Sequence, residues 1–181
     1  MNDDLRADIG PLSEPRAITM LHLDPSAFLC RLFAALQADG IDVSAYELDH
    51  LCYRVESLER YAALKEMLAE RAVLLGEHTI GGRPIASYRM HRPFRYEAHA
   101  IHVLELPAPK AGSPYPEGFE HAEFVVYEAP ETFADRYPQL AWDRSAAHKA
   151  RNADVRLNYA GFSVKFHQRS LAEVIAEEAG G

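Results

Sequence analysis

Hydrophobic and polar positions change period several times along this chain, and each change marks an element. After Asp24-Pro25, the residues Phe28, Leu29, Leu32, Phe33 and Leu36 recur at helical spacing. Asp24 suits an N-cap, Pro25 the first helical position and Gly40 the C-terminal stop. Residues 46–55 then read as a strand. Ser57 caps a helix through about residue 72, with Leu58, Tyr61, Leu64 and Leu68 along one side. Residues 73–80 and 83–90 are strands joined at Gly81-Gly82, a hairpin signal. A loop holding Arg92-Pro93-Phe94 follows, then a strand over 98–106. The order is strand, helix, strand, strand, strand.

Residues 107–117 hold four prolines, cannot join a regular ladder, and read as a linker. The same order then returns more loosely. A strand is expected over 118–127 and a helix over 130–140, with Phe133 and Tyr137 on one face. The segment 142–152 shows no clear period and has room for a short strand. Strands follow at 154–159 and 162–167 about Gly161, and Ser170 caps a closing helix over 171–178. Residues 1–22, with Pro11 and Pro15, read as an irregular arm. The expected divisions are an arm and helix over 1–44, a first module over 45–106, the linker, and a second module over 118–181.

Inside the repeated order a short segment recurs. Asp49-His50-Leu51-Cys52-Tyr53-Arg54-Val55 and Glu120-His121-Ala122-Glu123-Phe124-Val125-Val126 share an acid, a histidine, two variable residues, an aromatic, one more residue and a valine. Strand side chains alternate, so Cys52 and Arg54 share the face of His50, and Glu123 and Val125 that of His121. Two matched histidines point to a metal site built across a pseudo-two-fold axis. Arg54 and Glu123 are candidates to hold a substrate or to form internal salt bridges. Glu105, between Leu104 and Leu106, is costly to bury unless paired. Other histidines lack such pairing, and His102 has the strand parity opposite to Glu105.

Composition narrows the partners. The 181 residues are nearly half apolar, one quarter charged, and carry a formal charge of −8. That balance argues against nucleic acid or an anionic membrane as the main partner. No apolar run is long enough for a bilayer span, and the acidic start Met1-Asn2-Asp3-Asp4 does not read as a signal peptide. A cytoplasmic setting is expected, with Cys30 and Cys52 as two buried thiols and no disulfide.

The repeated segments, with Gly82-Arg83-Pro84-Ile85, Leu104-Glu105-Leu106-Pro107-Ala108-Pro109-Lys110 and Val164-Lys165-Phe166-His167, give the chain a resemblance. It resembles the vicinal oxygen chelate superfamily, the fold of glyoxalase I and extradiol dioxygenases, and more closely the YecM family, over about residues 45–175. The resemblance implies an α+β fold of two tandem βαβββ modules, forming a curved mixed sheet around a cup, with an added N-terminal helix. It implies a divalent metal ion (Zn, Fe, Mn or Ni) held by His50, Glu105 and His121 from the first and last strands of the modules. The last strand of module two departs from the pattern. Simple alignment places Lys165 where the family often has Glu, and His167 lies two residues on, on the same face. Because an ammonium repels a divalent ion, His167 is the favoured fourth ligand; otherwise three ligands hold the metal and Lys165 holds an anion. The function implied is a metal-dependent enzyme acting on a small oxygen-bearing, chelating molecule, as a monomer or homodimer. The alternative is a non-catalytic binding protein using the same cup.

Overall fold

In the computed structural model, which describes residues 23–180, the alternating segments become seven strands. They are β1 (Glu47–Arg54), β2 (Ala72–Ile80), β3 (Arg83–Tyr96), β4 (His99–Pro107), β5 (Gly118–Val125), β6 (Asp154–Tyr159) and β7 (Phe162–His167). Four helices accompany them: α1 (Ser26–Ala38), α2 (Leu58–Ala69), α3 (Pro130–Asp135) and α4 (Leu171–Gly180). The arm expected over residues 1–22 lies outside the described residues.

All seven strands join one curved, unclosed sheet in the order β2-β3-β4-β1-β5-β7-β6. β1 runs parallel to β4 and antiparallel to β5, and β5 runs parallel to β7. The order therefore reads outward in the same sense from a central β1–β5 seam. The second half has one strand fewer than expected. In the uncertain segment 142–152 the ladder contribution is an isolated bridge from Asp143 to Arg156.

Local chemistry sets most boundaries. Ser57 caps α2 by accepting from the Arg60 amide at 3.2 Å. α3 stops at Asp135, short of the expected residue 140, because Tyr137 precedes Pro138 and such a residue disfavours helix. β3 runs past the expected end at Met90 to Tyr96. Its pairing with β4 breaks after Arg89 and resumes at Phe94, so the loop around Pro93 is an interruption within one strand.

One face of the sheet carries the main core. Leu51, Leu104, Ala122, Phe124, Val164 and Phe166 are fully buried there. From α1, Phe28 packs on Phe119 and Phe162, and Phe33 on Tyr96 and Phe124. Phe133 of α3 lies against Phe166 with ring centroids 4.6 Å apart, and α2 adds Tyr61, Leu64 and Leu68 to the same core. Cys52 is buried, but Cys30 is exposed on α1, which corrects the expectation of two buried thiols.

The other face is concave and is covered by α4. Ser170 and Glu173 form a reciprocal cap at its start. Ile175 is buried above β2 at Gly76, where an added Cβ would lie 3.3 Å from the Ile175 side chain and 2.6 Å from His78 Nε2. Truncating Phe166, which touches Phe124, Phe133 and Trp142, is predicted to cost roughly 3–5 kcal/mol. Urea unfolding of Phe166→Ala measures this, and a loss below about 1 kcal/mol would contradict the core assignment.

Candidate metal centre

The seam brings the two copies of the repeated segment together. His50 on β1 faces Glu123 on β5, and Cys52 faces His121, so each histidine opposes the residue two positions after its counterpart. The outer strands extend both rows: Glu105 of β4 stands beside Cys52, and Lys165 of β7 beside Glu123. Glu105 and Lys165 thus occupy equivalent places about the seam.

Each copy contains a bulge at the acid before its histidine. Pairing steps from Leu48 to His50 against one step on β5, leaving Asp49 extra; it steps from Phe119 to His121 against one step on β1, leaving Glu120 extra. A bulge re-aims side chains, so neighbours that would face opposite ways can meet. His50 Nδ1 lies 2.7 Å from Asp49 Oδ2, and His121 Nδ1 2.6 Å from Glu120 Oε2. His167 makes the corresponding bond with the carbonyl of Arg169. These acceptors keep the proton on Nδ1 and leave Nε2 of each ring for a ligand.

The three Nε2 atoms converge on one carboxylate. They lie 3.4 Å (His50), 3.2 Å (His121) and 3.6 Å (His167) from oxygens of Glu123. Ligand atoms about 2.1 Å from a tetrahedral ion are separated by about 3.4 Å, so His50, His121 and Glu123, whose ligand atoms converge on one another, fit a divalent metal. Nε2 of His50 and of His167 are buried without a hydrogen-bond partner, an arrangement that is costly unless something else uses those lone pairs. His50, His121 and Glu123 form one group able to hold an ion; Asp49, His50 and His167 form another, and Cys52, Glu120 and His121 a third.

The sequence candidates fall into distinct places. His50, His121 and His167 come together. Glu105 is partly exposed, faces the same cavity, and stands outside those three groups. Glu123, a substrate candidate by sequence, faces the imidazoles instead. Arg54 bonds Glu120 at 3.0 Å and stacks on Tyr115, so it supports the acid that holds His121. Lys165 is bonded to Glu123. Asp49 and Glu120 also belong to the site; the acid-histidine pair is visible in both copies of the sequence, but the bulges that give it meaning are not.

His50, Glu105, Glu123 and Lys165 open onto a cavity of about 490 Å³ with Ser87, Ile85 and α4 around it. A larger cleft of about 660 Å³ lies between α1 and the β3–β4 turn. No group of converging metal-ligand atoms among the described residues lies in it.

Charge interactions match this geometry. Burial opposes protonation of His50, but the Glu123 charge and the Asp49 bond outweigh it and push its pKa up to about 10. Burial likewise opposes the charge on Glu123, yet Lys165 and His50 hold it well below the usual carboxylate range. For Lys165, Glu123 and Glu105 overcome burial and raise its pKa, keeping it an ammonium. Without metal, the raised His50 value contributes stability below about pH 6.5 that is lost as pH rises toward 10. The lowered Glu123 value contributes stability above about pH 4.5 that is lost on further acidification. The chelator-treated protein is therefore predicted to melt at its highest temperature between those limits. Metal uptake near neutral pH should release protons and tighten as pH rises. Calorimetry in two buffers of different ionisation enthalpy tests this, and uptake without proton release would contradict it.

Two modules are joined through their first strands, each with a buried histidine beside the seam. A family model described as YecM protein matches residues 18–178; the chain belongs to the YecM family. It is 28% identical to Protein YecM of Escherichia coli (strain K12) over 158 residues, which is 77% of this chain and 82% of that one. The solved structure of Protein EC4020, from structural genomics, is similar with a TM-score of 0.72 at 24% identity, covering 84% of this chain and 87% of that chain. A methylmalonyl-CoA epimerase of Streptomyces coelicolor in complex with 2-nitronate-propionyl-CoA has a TM-score of 0.48 at 13% identity, over 69% of this chain and 97% of that chain.

Proposed function

We propose that this protein is a divalent-metal-dependent enzyme of the vicinal oxygen chelate type, acting on a small oxygen-bearing molecule that chelates the metal. The observation that carries the reading is the pair of buried, unpartnered Nε2 atoms on His50 and His167, aimed with His121 at Glu123. His50, His121 and Glu123 would hold the ion, with His167 able to join as a fourth ligand and Glu105 facing it from the cavity wall. A bound Zn, Fe, Mn or Ni ion would polarise a substrate oxygen or lower the pKa of a water. The chain's own groups do the rest. Asp49 and Glu120 keep the two seam imidazoles in the ligand tautomer, Glu105 is placed to exchange a proton with a molecule in the cup, and α4 shields the cup from water.

A second reading, a non-catalytic binding protein, draws on the same donor set. If His167 joined His50, His121 and Glu123, three imidazoles and one carboxylate would fill a tetrahedral shell and leave no open position, as in structural sites. Optical spectra of the Co²⁺-loaded protein separate the two: a band shift on adding a small chelating anion supports an open, catalytic site, and no shift supports a closed one.

Elemental analysis of the full chain, purified without chelator or a nickel column, is predicted to find about one equivalent of one metal. The His50→Ala/His121→Ala variant should lose it. No metal in either, with no uptake on titration, would end the metalloenzyme reading. Asp49→Ala, which removes the acceptor on His50, should weaken metal binding by about ten- to a hundredfold; unchanged affinity would show that the Asp49 bond does not tune the site.

A further inference from the structure

Lys165 is held where a metal centre does not readily tolerate a cation. From β7 its ammonium is bonded to Glu123 Oε1, the oxygen that also faces Nε2 of His50 and His121. Nζ is 3.5 Å from His121 Nε2 itself. An ion held by His121 and Glu123 would lie within a few ångströms of this full positive charge, and the two would repel. The opposite seam position carries Glu105, so nothing in the fold requires a cation there.

The other cations around the cavity are already occupied at the rim. Lys149 lies 3.7 Å from Asp154, and Arg151 3.2 Å from Glu178. Lys165 differs in that its paired carboxylate is the one a metal would take. The cavity beside it is also lined by Ile85 of β3 and by Leu171, Val174 and Ile175 of α4, which suits a short carbon skeleton.

We propose that Lys165 is a placeholder cation: metal loading displaces it from Glu123, and the displaced ammonium and the metal together bind one anionic group of the substrate. The substrate class is then a small carboxylate with a second oxygen on the neighbouring carbon, one carboxylate oxygen turned to Lys165 and the vicinal oxygen completing the chelate. This inference rests on the metal-centre reading. It links two affinities through one side chain, since the group that opposes metal binding is the group that favours the anion.

Calorimetric titration of the full chain with Zn²⁺ alone, and of the zinc-loaded chain with oxalate, tests it on wild type, Lys165→Met and Lys165→Arg. Lys165→Met is expected to bind Zn²⁺ about tenfold more tightly than wild type, while its zinc-loaded form binds oxalate at least about tenfold more weakly. Lys165→Arg, which keeps the charge, should stay near wild type in both, and metal-free wild type should not bind oxalate. Equal Zn²⁺ affinity in wild type and Lys165→Met, or equal oxalate affinity in their loaded forms, overturns the inference and leaves the metal centre standing. Absence of Zn²⁺ uptake in every form overturns both. If Lys165→Met fails to fold by thermal melting, Lys165→Gln takes its place with the same expected outcomes.

Discussion

The antiparallel pairing of β1 with β5 puts the two seam histidines on one face, and a single extra residue in each strand aims them. A regular strand would send Asp49 and His50, or Glu120 and His121, to opposite sides of the sheet. At the bulges the pairs turn together, and each acid accepts from its own histidine. The disturbance is offset through the same side chains. Asp49 Oδ2 also accepts from the Leu171 amide at 2.9 Å, so the first turn of α4 is tied to the seam.

That tie explains why the cup is built as it is. His167 ends β7 and bonds the Arg169 carbonyl; Ser170 then caps α4, and the helix runs over the cavity with Ile175 resting above Gly76. The strand that delivers the third imidazole thus also launches the helix that covers it. Behind the seam, Phe124 and Phe166 stack on the opposite face, so the histidine-bearing strands are backed by rigid aromatic packing.

Charge sets the second constraint. Asp49, His50, His121, Glu123 and His167 are all buried, and none would be stable there alone. The cluster persists because each charge faces its opposite: Glu123 is met by Lys165 and the imidazoles, Asp49 by His50 and the α4 amide, and Glu120 by His121 and Arg54. Such a network favours a definite arrangement of groups over maximal stability, and the unpartnered Nε2 atoms mark where it is incomplete within the protein.

The amino-acid sequence determined what depends on neighbours in the chain. Alternation on either side of Gly161 placed β6 and β7, Gly81-Gly82 turned the β2–β3 hairpin, and Ser57 and Ser170 began their helices, all through local backbone preferences. The repeated acid-histidine pair also marked the seam in advance. Tertiary structure decided the rest. Whether residues 142–152 would pair, whether β3 would resume beyond Pro93, and whether Cys30 would be covered depended on what packed against them. The roles of Glu123, Asp49 and Glu120 followed from register. One extra residue in a strand reverses which face its neighbours occupy, and a bulge arises from pairing two distant segments that no local pattern records.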